Sequence, residues 1–311
     1  MPDGQSTDIG ERWVAAMRRG DHAAAWAVSD EVLALRDPAG RDDGRLPYHR
    51  RWVWHGRSLA GREVLVRCYH GLGDTIQFAR FLPLLARLAE RVVVEAQPSL
   101  IPLLAASDLS ARFIPFVPEH PQAPVSGSVE IMELSHALRL PPLAAKPPYL
   151  HVLQDEIAAQ RRRLAATAPI AALCWRPGNW DRERSLALDA LAACFPRSWR
   201  LLQLQPDACA EERQAAPFLN PDDRLPRILD TAALIACADL VVTADSMVAH
   251  LAGALGRRGM VLLKSEADWR WENGTRSSWY PTLRLFRQPV AGDWHGALRA
   301  LTAALARWPT D

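Results

Sequence analysis

The chain has 311 residues, 49% of them hydrophobic and 23% charged, which is long enough for two domains with buried cores. The 37 Lys and Arg residues against 35 Asp and Glu leave a formal net charge of +2, which excludes the strongly basic surface of a general nucleic-acid or anionic-membrane binder. Five cysteines without a C-x-x-C spacing argue against a disulfide framework or a zinc site and predict reduced, buried thiols.

The N-terminal region predicts a short helical hairpin. Amphipathic patterns cover residues 11–19 and 21–35, and Asp21 is placed to cap the second helix. The alanine-rich face at 23–26 is similar to one tetratricopeptide unit. Because one unit cannot bury its own faces and no second copy follows, we expect a cap packed on the main body. With a polar linker at 37–47, this first region is assigned to residues 1–47.

From residue 63, short apolar runs alternate with helical patterns, which is typical of βαβ units in a parallel sheet. The first series predicts strands at 64–68, 92–94, 111–116 and 129–134, with helices at 75–88 and 98–106. A proline cluster at 141–148 and a charged helix at 154–166 mark a boundary. Residues 48–150 are therefore assigned to a first Rossmann-like lobe.

A second series follows over residues 151–311. It predicts strands at 170–175, 199–205, 239–243, 260–263 and 283–286, with helices at 186–194, 231–237, 246–255 and 293–307. The last helix closes this second Rossmann-like lobe. Two such halves predict a bilobed α/β protein whose ligand lies at the carboxyl ends of the strands, between the lobes.

The first candidate site follows the first strand, in the run from Gly71 to Gln77. Gly71 and Gly73 allow backbone amides to approach a ligand, and a helix N-terminus favours negative charge. The dinucleotide fingerprint is not met, because Ile76 takes the position of its third glycine. On the residues alone, Asp74 is either a helix cap or a carboxylate that deprotonates an acceptor hydroxyl.

The second candidate site lies where a strand ends near Thr243 and a helix begins. The amides of Ser246, Met247 and Val248 are predicted to be free to bind a pyrophosphate. His250 either reaches the same ligand or is a core histidine in an alanine-rich helix.

Two further clusters have functional and purely structural alternatives. The loop at 175–185 carries Arg176, Arg182 and Arg184, which either clamp a phosphate or are solvated. Trp269 and Trp271 either stack on a nucleobase or sugar ring, or seal a lobe by packing.

Three ordered blocks resemble the bacterial heptosyltransferase-like glycosyltransferases of family nine, in particular the branch often fused to tetratricopeptide repeats. They are G-L-G-D-T-I-Q-F-A-R at 71–80, D-S-M-V-A-H-L-A-G-A-L-G at 245–256, and the block from D-W-R-W to R-L-F-R-Q at 268–288. The resemblance covers residues 50–305. It implies a GT-B fold, with a nucleotide-sugar donor in the C-terminal lobe and the acceptor in the N-terminal lobe.

Residue roles carry over by matching positions. The resemblance implies that Asp74 is the catalytic base. The donor-side residues that it implies are Asp245, Ser246, Met247, Val248, His250 and Arg184, with the glycine loop at Gly71 and Gly73. His70 and Gln77 are the acceptor-side candidates, and Trp269 and Trp271 the stacking candidates. Tyr69-His70 replaces the usual Glu-Gln and Lys264 the usual Pro, so the identity of the acceptor stays open.

The implied activity is inverting transfer of a sugar from a nucleoside-diphosphate sugar, such as ADP-heptose, to a hydroxyl of a glycan, a lipid-linked molecule or a protein. No D-x-D motif occurs, so we expect no metal and no cofactor besides the nucleotide-sugar co-substrate. The alternatives are a non-catalytic member that binds a sugar nucleotide, or a protein partner through the hairpin, and a sugar-nucleotide epimerase.

Location follows from the N-terminal sequence and the hydropathy. The first residues are polar and acidic rather than typical of a secretory signal, and no run reaches the ~18 apolar residues of a transmembrane helix. We therefore expect a cytoplasmic protein, free or peripheral at the inner membrane, without a nucleic-acid partner.

Overall fold

A computed structural model describes residues 3–47, 50–125, 127–178, 181–220 and 227–308. The chain forms two compact units. Unit 1 comprises Met1–Tyr149 together with Trp269–Asn273, and unit 2 comprises Leu150–Asp268 and Gly274–Asp311. Over the described ranges, each helix is too short or too polar to cross a bilayer.

Unit 1 begins with the predicted helical hairpin. Helix α1 (Asp3–Arg18) and helix α2 (His22–Leu35) are joined by a turn in which Gly20 has a φ of +70°, a conformation that glycine adopts without strain. Asp21 caps α2 as predicted, because its carboxylate accepts the Ala24 N–H at 3.0 Å. Helix α1 starts earlier than predicted. The sequence pattern did not indicate its first half, because that half is polar and has no apolar periodicity.

The sheet of unit 1 has four parallel strands in the order β3-β2-β1-β4. These strands are β1 (Glu63–Arg67), β2 (Arg91–Ala96), β3 (Arg112–Pro115) and β4 (Val129–Glu130). The helices that follow them are α3 (Leu72–Phe78), α4 (Leu82–Ala86), α5 (Ile101–Ala106) and α6 (Leu134–Leu138). The strand order reverses between β1 and β4, and ligands of open α/β sheets bind at the carboxyl ends of such a pair.

Two predicted elements of unit 1 differ in the structure. The helix predicted at 75–88 is divided by a 3-10 helix, Ala79–Phe81, because Pro83 in the first turn of α4 cannot continue the hydrogen bonds of α3. The strand predicted at 129–134 pairs only through Val129 and Glu130. The Glu130 carboxylate accepts the Met132 N–H at 2.9 Å and thereby starts a 3-10 helix, Ile131–Glu133.

The sheet of unit 2 has five parallel strands in the order β6-β5-β7-β8-β9. These strands are β5 (Ile170–Cys174), β6 (Arg200–Gln203), β7 (Leu240–Ala244), β8 (Gly259–Leu263) and β9 (Leu283–Arg287). The helices of the unit are α7 (Gln154–Leu164), α8 (Leu188–Ala192), α9 (Ala210–Ala215), α10 (Ile228–Cys237), α11 (Met247–Ala254) and α12 (Trp294–Leu305). Every residue of β5 and β7 is buried, as expected for strands covered on both faces. Here the order reverses between β5 and β7.

The division into units differs from the predicted one in two respects. The hairpin belongs to unit 1 rather than forming a region of its own. The segment Trp269–Asn273, predicted to lie in the second lobe, also belongs to unit 1, where its 3-10 helix (Trp269–Trp271) contacts α1 and the Asn273 N–H donates to the Arg18 carbonyl at 3.0 Å. The boundary between Tyr149 and Leu150 is one residue from the predicted one.

All five cysteines are free thiols. Cys68, Cys174 and Cys194 are buried as predicted, whereas Cys237 is partly buried and Cys209 is exposed. The exposure of Cys209 corrects the prediction for that thiol.

Candidate functional site

The first candidate site surrounds Asp74, at the carboxyl end of β1. Gly71 is the N-cap of α3 and Asp74 is the third residue of the helix. Oδ2 of Asp74 accepts the Gly71 N–H at 2.9 Å, so this carboxylate caps the helix from its third position. A Cβ at Gly71 would lie 3.3 Å from the same oxygen, while Gly73 lies within the first turn. The capping alternative is therefore realised, and the catalytic role of Asp74 stays a prediction.

The other carboxylate oxygen of Asp74 forms an ion pair with Arg270. Nη2 of Arg270 donates to Oδ1 at 2.6 Å, and the two side chains are only 13% and 18% exposed. The two residues are 196 positions apart in the sequence, and both belong to unit 1. The prediction singled out the tryptophans of the D-W-R-W block and missed the arginine between them.

Two acids lie at the end of β4 and just after it in the same unit, namely the buried Glu130 and the partly buried Glu133. Burial, together with the carboxylates of Glu133 and Asp74, raises the pKa of Glu130 well above its usual range. Burial also raises the pKa of Glu133, although Arg36 forms an ion pair with it at 3.0 Å. Over the described part of the chain, Glu130 Oε1 has no hydrogen-bond partner. Glu130 therefore favours its protonated form beside the charged pair of Asp74 and Arg270.

The structure separates the two acceptor-side candidates. His70 is exposed and its carbonyl accepts the Gln97 amide at 2.8 Å, so its contact with an acceptor stays a prediction. Gln77 is 0% exposed, and neither atom of its amide has a hydrogen-bond partner among the described residues. A role of the Gln77 amide on the acceptor side stays a prediction.

Arg80, the last residue of the first block, has a structural role that the sequence analysis missed. Its buried guanidinium donates from Nε to the Gln77 carbonyl at 2.8 Å and from Nη2 to the Tyr149 hydroxyl at 3.1 Å. The Tyr149 hydroxyl in turn donates to the Ile76 carbonyl at 3.0 Å. Arg80 thus joins the end of α3 to the last residues of the N-terminal part of unit 1.

The second candidate site lies at the carboxyl end of β7, where Ser246 is the N-cap of α11. The Ser246 hydroxyl accepts the Val248 N–H at 3.2 Å and lies 3.0 Å from the hydroxyl of Thr243. The Val248 amide is therefore used by the cap, which corrects the prediction that it is free for an anion. Binding of an anion by the amides of Ser246 and Met247 stays a prediction.

A buried ion pair fixes the turn before this helix. Nη1 of Arg184 lies 3.1 Å from Asp245 Oδ2 and donates to the Asp245 carbonyl at 3.2 Å, and Nε lies 3.3 Å from Asp181. Arg184 follows β5 and Asp245 follows β7, and these neighbouring strands bring the two together at the carboxyl edge of the sheet. Direct contact of either side chain with a donor stays a prediction.

Lys264, at the end of β8, extends this network. Its Nζ lies 3.0 Å from Asp181 and 3.1 Å from Glu183, and the hydrogen bond with Asp181 raises the pKa of Lys264. The loops that follow β5, β7 and β8 are therefore joined by charges at one edge of the sheet. The residue that departs from the family pattern at this position acts as a cross-link.

Arg176 is also held by carboxylates, because it forms ion pairs with Glu212 and Asp207. The hydrogen bond from Arg176 lowers the pKa of Glu212 to about 2. The charges of Arg176 and Arg184 are thus matched by acids within unit 2, whereas Arg182 is exposed. Binding of a phosphate by the arginines of this loop stays a prediction.

His250 is buried in α11 and contacts Tyr280 of the third block. Its Nδ1 lies 3.1 Å from the Tyr280 hydroxyl. The ring of Tyr280 packs so closely on Gly253 that a Cβ there would lie 2.3 Å from it. This packing favours the core-histidine alternative for His250, whose contact with a donor stays a prediction.

The two tryptophans of the third block have different environments. Trp271 is 0% exposed, so its ring presents no face to a ligand, and the prediction that it stacks is corrected to packing. The ring centroids of Trp269 and Trp13 of α1 lie 4.9 Å apart in an edge-to-face arrangement. The Arg270 guanidinium lies 4.2 Å from the centroid of the Trp269 ring. Stacking of Trp269 on a sugar or base stays a prediction.

In the ranges that the structure describes, no group of three or more His, Cys, Asp or Glu residues is arranged to hold a metal ion. Metal independence of the reaction stays a prediction.

Comparison with known proteins relates this arrangement to one family. Residues 226–272 match the model of Glycosyltransferase family 9 (heptosyltransferase), and this segment includes the second site. Protein FlbA of Caulobacter vibrioides is 24% identical over 333 residues, covering 96% of this chain and 52% of FlbA. The chain thus spans about half the length of this curated relative.

Solved structures of similar fold come from the same family. A glycosyl transferase family 9 protein of Veillonella parvula has a TM-score of 0.56 at 11% identity, covering 74% of this chain and 87% of its own. The ADP-heptose LPS heptosyltransferase II of E. coli has a TM-score of 0.56 at 13% identity, covering 78% and 98%. The E. coli heptosyltransferase WaaC with ADP has a TM-score of 0.50 at 14% identity, covering 78% and 99%.

At these identities the similarity concerns the fold alone, and the tetratricopeptide part of the resemblance stays a prediction. The predicted α/β fold of GT-B type is confirmed. The chain has the fold of family 9 glycosyltransferases and carries a segment that matches the model of that family.

Proposed function

We propose that the protein is a heptosyltransferase-like glycosyltransferase that moves a sugar from a nucleoside-diphosphate sugar to a hydroxyl group. The observation that carries this proposal is the second site. Ser246 begins α11 at the reversal point of the sheet in unit 2, inside the segment that matches the family 9 model. ADP-heptose is the first donor to test, because the E. coli heptosyltransferase of similar fold uses ADP-heptose.

In the proposed reaction, Asp74 takes the proton of an acceptor hydroxyl while the oxygen of that hydroxyl attacks the anomeric carbon of the donor. The new bond joins the acceptor oxygen to that carbon, and the bond to the diphosphate breaks on the opposite face, so the configuration inverts. The N-terminal end of α11 carries a partial charge of about +0.5 and offers the amides of Ser246 and Met247 to the leaving diphosphate. No metal or further cofactor takes part.

The ion pairs around the second site have a supporting role in this proposal. The charge of Arg184 is matched by Asp245 and Asp181, and that of Lys264 by Asp181 and Glu183. Matched charges add little attraction for a diphosphate. Their contribution is to hold the turn that presents the Ser246 and Met247 amides.

The experiment is to incubate the purified chain with a panel of nucleoside-diphosphate sugars that includes ADP-heptose, and to measure both release of nucleotide and binding of donor by calorimetry. We expect one donor to be turned over, with glycan, lipid-linked and protein acceptors compared for stimulation. Asp74→Asn should lower kcat by about 10²- to 10⁴-fold, the range typical of general-base catalysis, without loss of donor binding. Asp108→Asn, at an exposed position of unit 1, is the matched control.

Other outcomes separate the alternatives. Equal turnover by Asp74→Asn contradicts the role of Asp74 as base. Donor binding without turnover favours a non-catalytic sugar-nucleotide binder. Interconversion of the free sugar nucleotide without an acceptor favours an epimerase.

A further inference from the structure

We propose that Arg270 is a positioning residue for Asp74, and that the N-terminal hairpin holds Arg270 in place. The proposal rests on the proposed role of Asp74 as base. It assigns a function to the arginine of the D-W-R-W block and to the hairpin, neither of which the proposed reaction uses directly.

The first step concerns the carboxylate. Oδ2 of Asp74 accepts the Gly71 N–H at 2.9 Å and Oδ1 accepts Nη2 of Arg270 at 2.6 Å, so one donor on each oxygen fixes the plane of the group. A carboxylate accepts about four hydrogen bonds, which leaves lone pairs for an acceptor hydroxyl. A base that is already oriented requires no reorganisation when the acceptor binds.

The second step concerns what holds Arg270. Its guanidinium lies 4.2 Å from the centroid of Trp269, and Met132 Sδ lies 3.9 Å from Nη2. Trp269 meets Trp13 of α1 edge-to-face at 4.9 Å, and Trp13 donates from Nε1 to the Ser29 hydroxyl of α2 at 3.1 Å. Both helices of the hairpin therefore support Trp269, the neighbour against which the Arg270 guanidinium packs.

The other end of the segment is fixed on the same helix. The Asn273 N–H donates to the Arg18 carbonyl at 3.0 Å. The segment that contains Arg270 is thus attached to α1 through Trp269 and through Asn273. The hairpin acts as a support for the first site in addition to any contact with another protein.

The third step concerns charge. Glu130 is buried and close enough to Asp74 for their carboxyl groups to interact, and Arg36 is paired with Glu133. Loss of the Arg270 charge would leave the partly buried Asp74 carboxylate without the cation that it is paired with. An arginine at this position therefore both orients the proposed base and balances its charge.

The experiment compares Arg270→Gln, Arg270→Lys and Trp13→Phe in the full chain, with Arg19→Gln at the exposed position after α1 as the matched control. The first readout is amide hydrogen exchange at Gly71, which is independent of glycosyl transfer. Arg270→Gln should speed exchange at Gly71 by about tenfold or more, because the carboxylate that accepts this N–H loses its second anchor. Arg270→Lys should restore most of the protection, and Arg19→Gln should leave it unchanged.

The second readout is kinetic. Arg270→Gln should lower kcat by about 10- to 100-fold with an unchanged KM for the donor, as expected when a reacting group is misplaced. Trp13→Phe keeps the aromatic packing and loses the bond to Ser29, so a smaller loss of kcat is expected. The double variant should lose no more than Arg270→Gln alone, because both changes act through one contact.

Several results would overturn the inference. Unchanged exchange at Gly71 in Arg270→Gln shows that Arg270 does not hold Asp74, and a higher kcat shows that it blocks the base instead. Additive losses in the double variant separate the hairpin from Arg270. If Asp74→Asn is fully active, the proposed base fails, whereas the exchange result at Gly71 still decides whether Arg270 holds this carboxylate.

Discussion

The first site buries polar atoms that lack hydrogen-bond partners within the described residues, namely Glu130 Oε1, Glu133 Oε2 and both amide atoms of Gln77. Each such atom costs about 1–3 kcal/mol of stability. Folds tolerate costs of this kind mainly at functional sites, where local rules are broken for chemistry. These unpartnered buried atoms therefore support a functional site at this edge of unit 1, independently of the motif that first indicated it.

Glu130 gives a testable pH dependence. Burial raises its pKa above the usual value of 4.5, so above that pH the unfolded chain releases a proton that the folded chain keeps. Stability contributed by this group is complete below pH 4.5 and is lost as pH rises, by up to about 1.4 kcal/mol per pH unit. The charged and titratable groups near it are Glu133, Asp74, Arg270, Tyr69 and Cys68.

Glu130→Gln should remove this loss, because the amide imitates the protonated acid. In urea unfolding between pH 5 and 8, the free energy of unfolding of Glu130→Gln should exceed that of the native chain by an amount that grows with pH. The exposed Glu119→Gln should give a curve parallel to that of the native chain. A constant difference between Glu130→Gln and the native chain would contradict protonation of the buried acid.

Secondary-structure elements were predictable where the pattern is local. The strand series and both parallel sheets follow from apolar runs that alternate with helical periodicity, a property of each short segment. Helix α9 was missed because its sequence, AEERQA, has no apolar periodicity and its stability depends on tertiary contacts. Glu212 supplies one of these contacts, because it accepts the Trp175 ring N–H at 3.0 Å and the Cys209 N–H at 3.0 Å.

Glu212 therefore joins α9 to the loop after β5, and its loss should weaken that junction. The ion pair with Arg176 lowers the pKa of Glu212 from 4.5 to about 2, so this stabilisation is present above pH 4.5 and is lost as pH falls toward 2. Glu212→Gln should lower the free energy of unfolding by about 1–3 kcal/mol at pH 7 and flatten the decline in acid. Denaturant unfolding from pH 7 to pH 2.5 measures both effects, and Glu119→Gln at an exposed position should show neither.

At the scale of the whole molecule, the chain leaves unit 1 at Tyr149 and returns to it at Trp269–Asn273. Sequence patterns report neighbours within a few residues, so neither this return nor the pairing of Arg270 with Asp74 across 196 positions was predictable from them. The same holds for the network of Arg184, Asp245 and Lys264, since charge patterns in loops do not specify partners. The positions of the first two blocks, each just after the carboxyl end of a strand, were predicted correctly from local patterns.

Because the chain returns to unit 1, we expect different effects from changing two buried tryptophans that are only eight positions apart. Trp271 is buried in unit 1 and Trp279 in unit 2. Either change to Ala should cost about 3–5 kcal/mol, the usual loss for a large buried ring. Amide exchange followed by mass spectrometry should then show lost protection in α1 and α2 for Trp271→Ala, and in β8 and β9 for Trp279→Ala. Loss of protection in the same elements for both variants would contradict the division, because it would place residues 269–273 in the unit of their sequence neighbours.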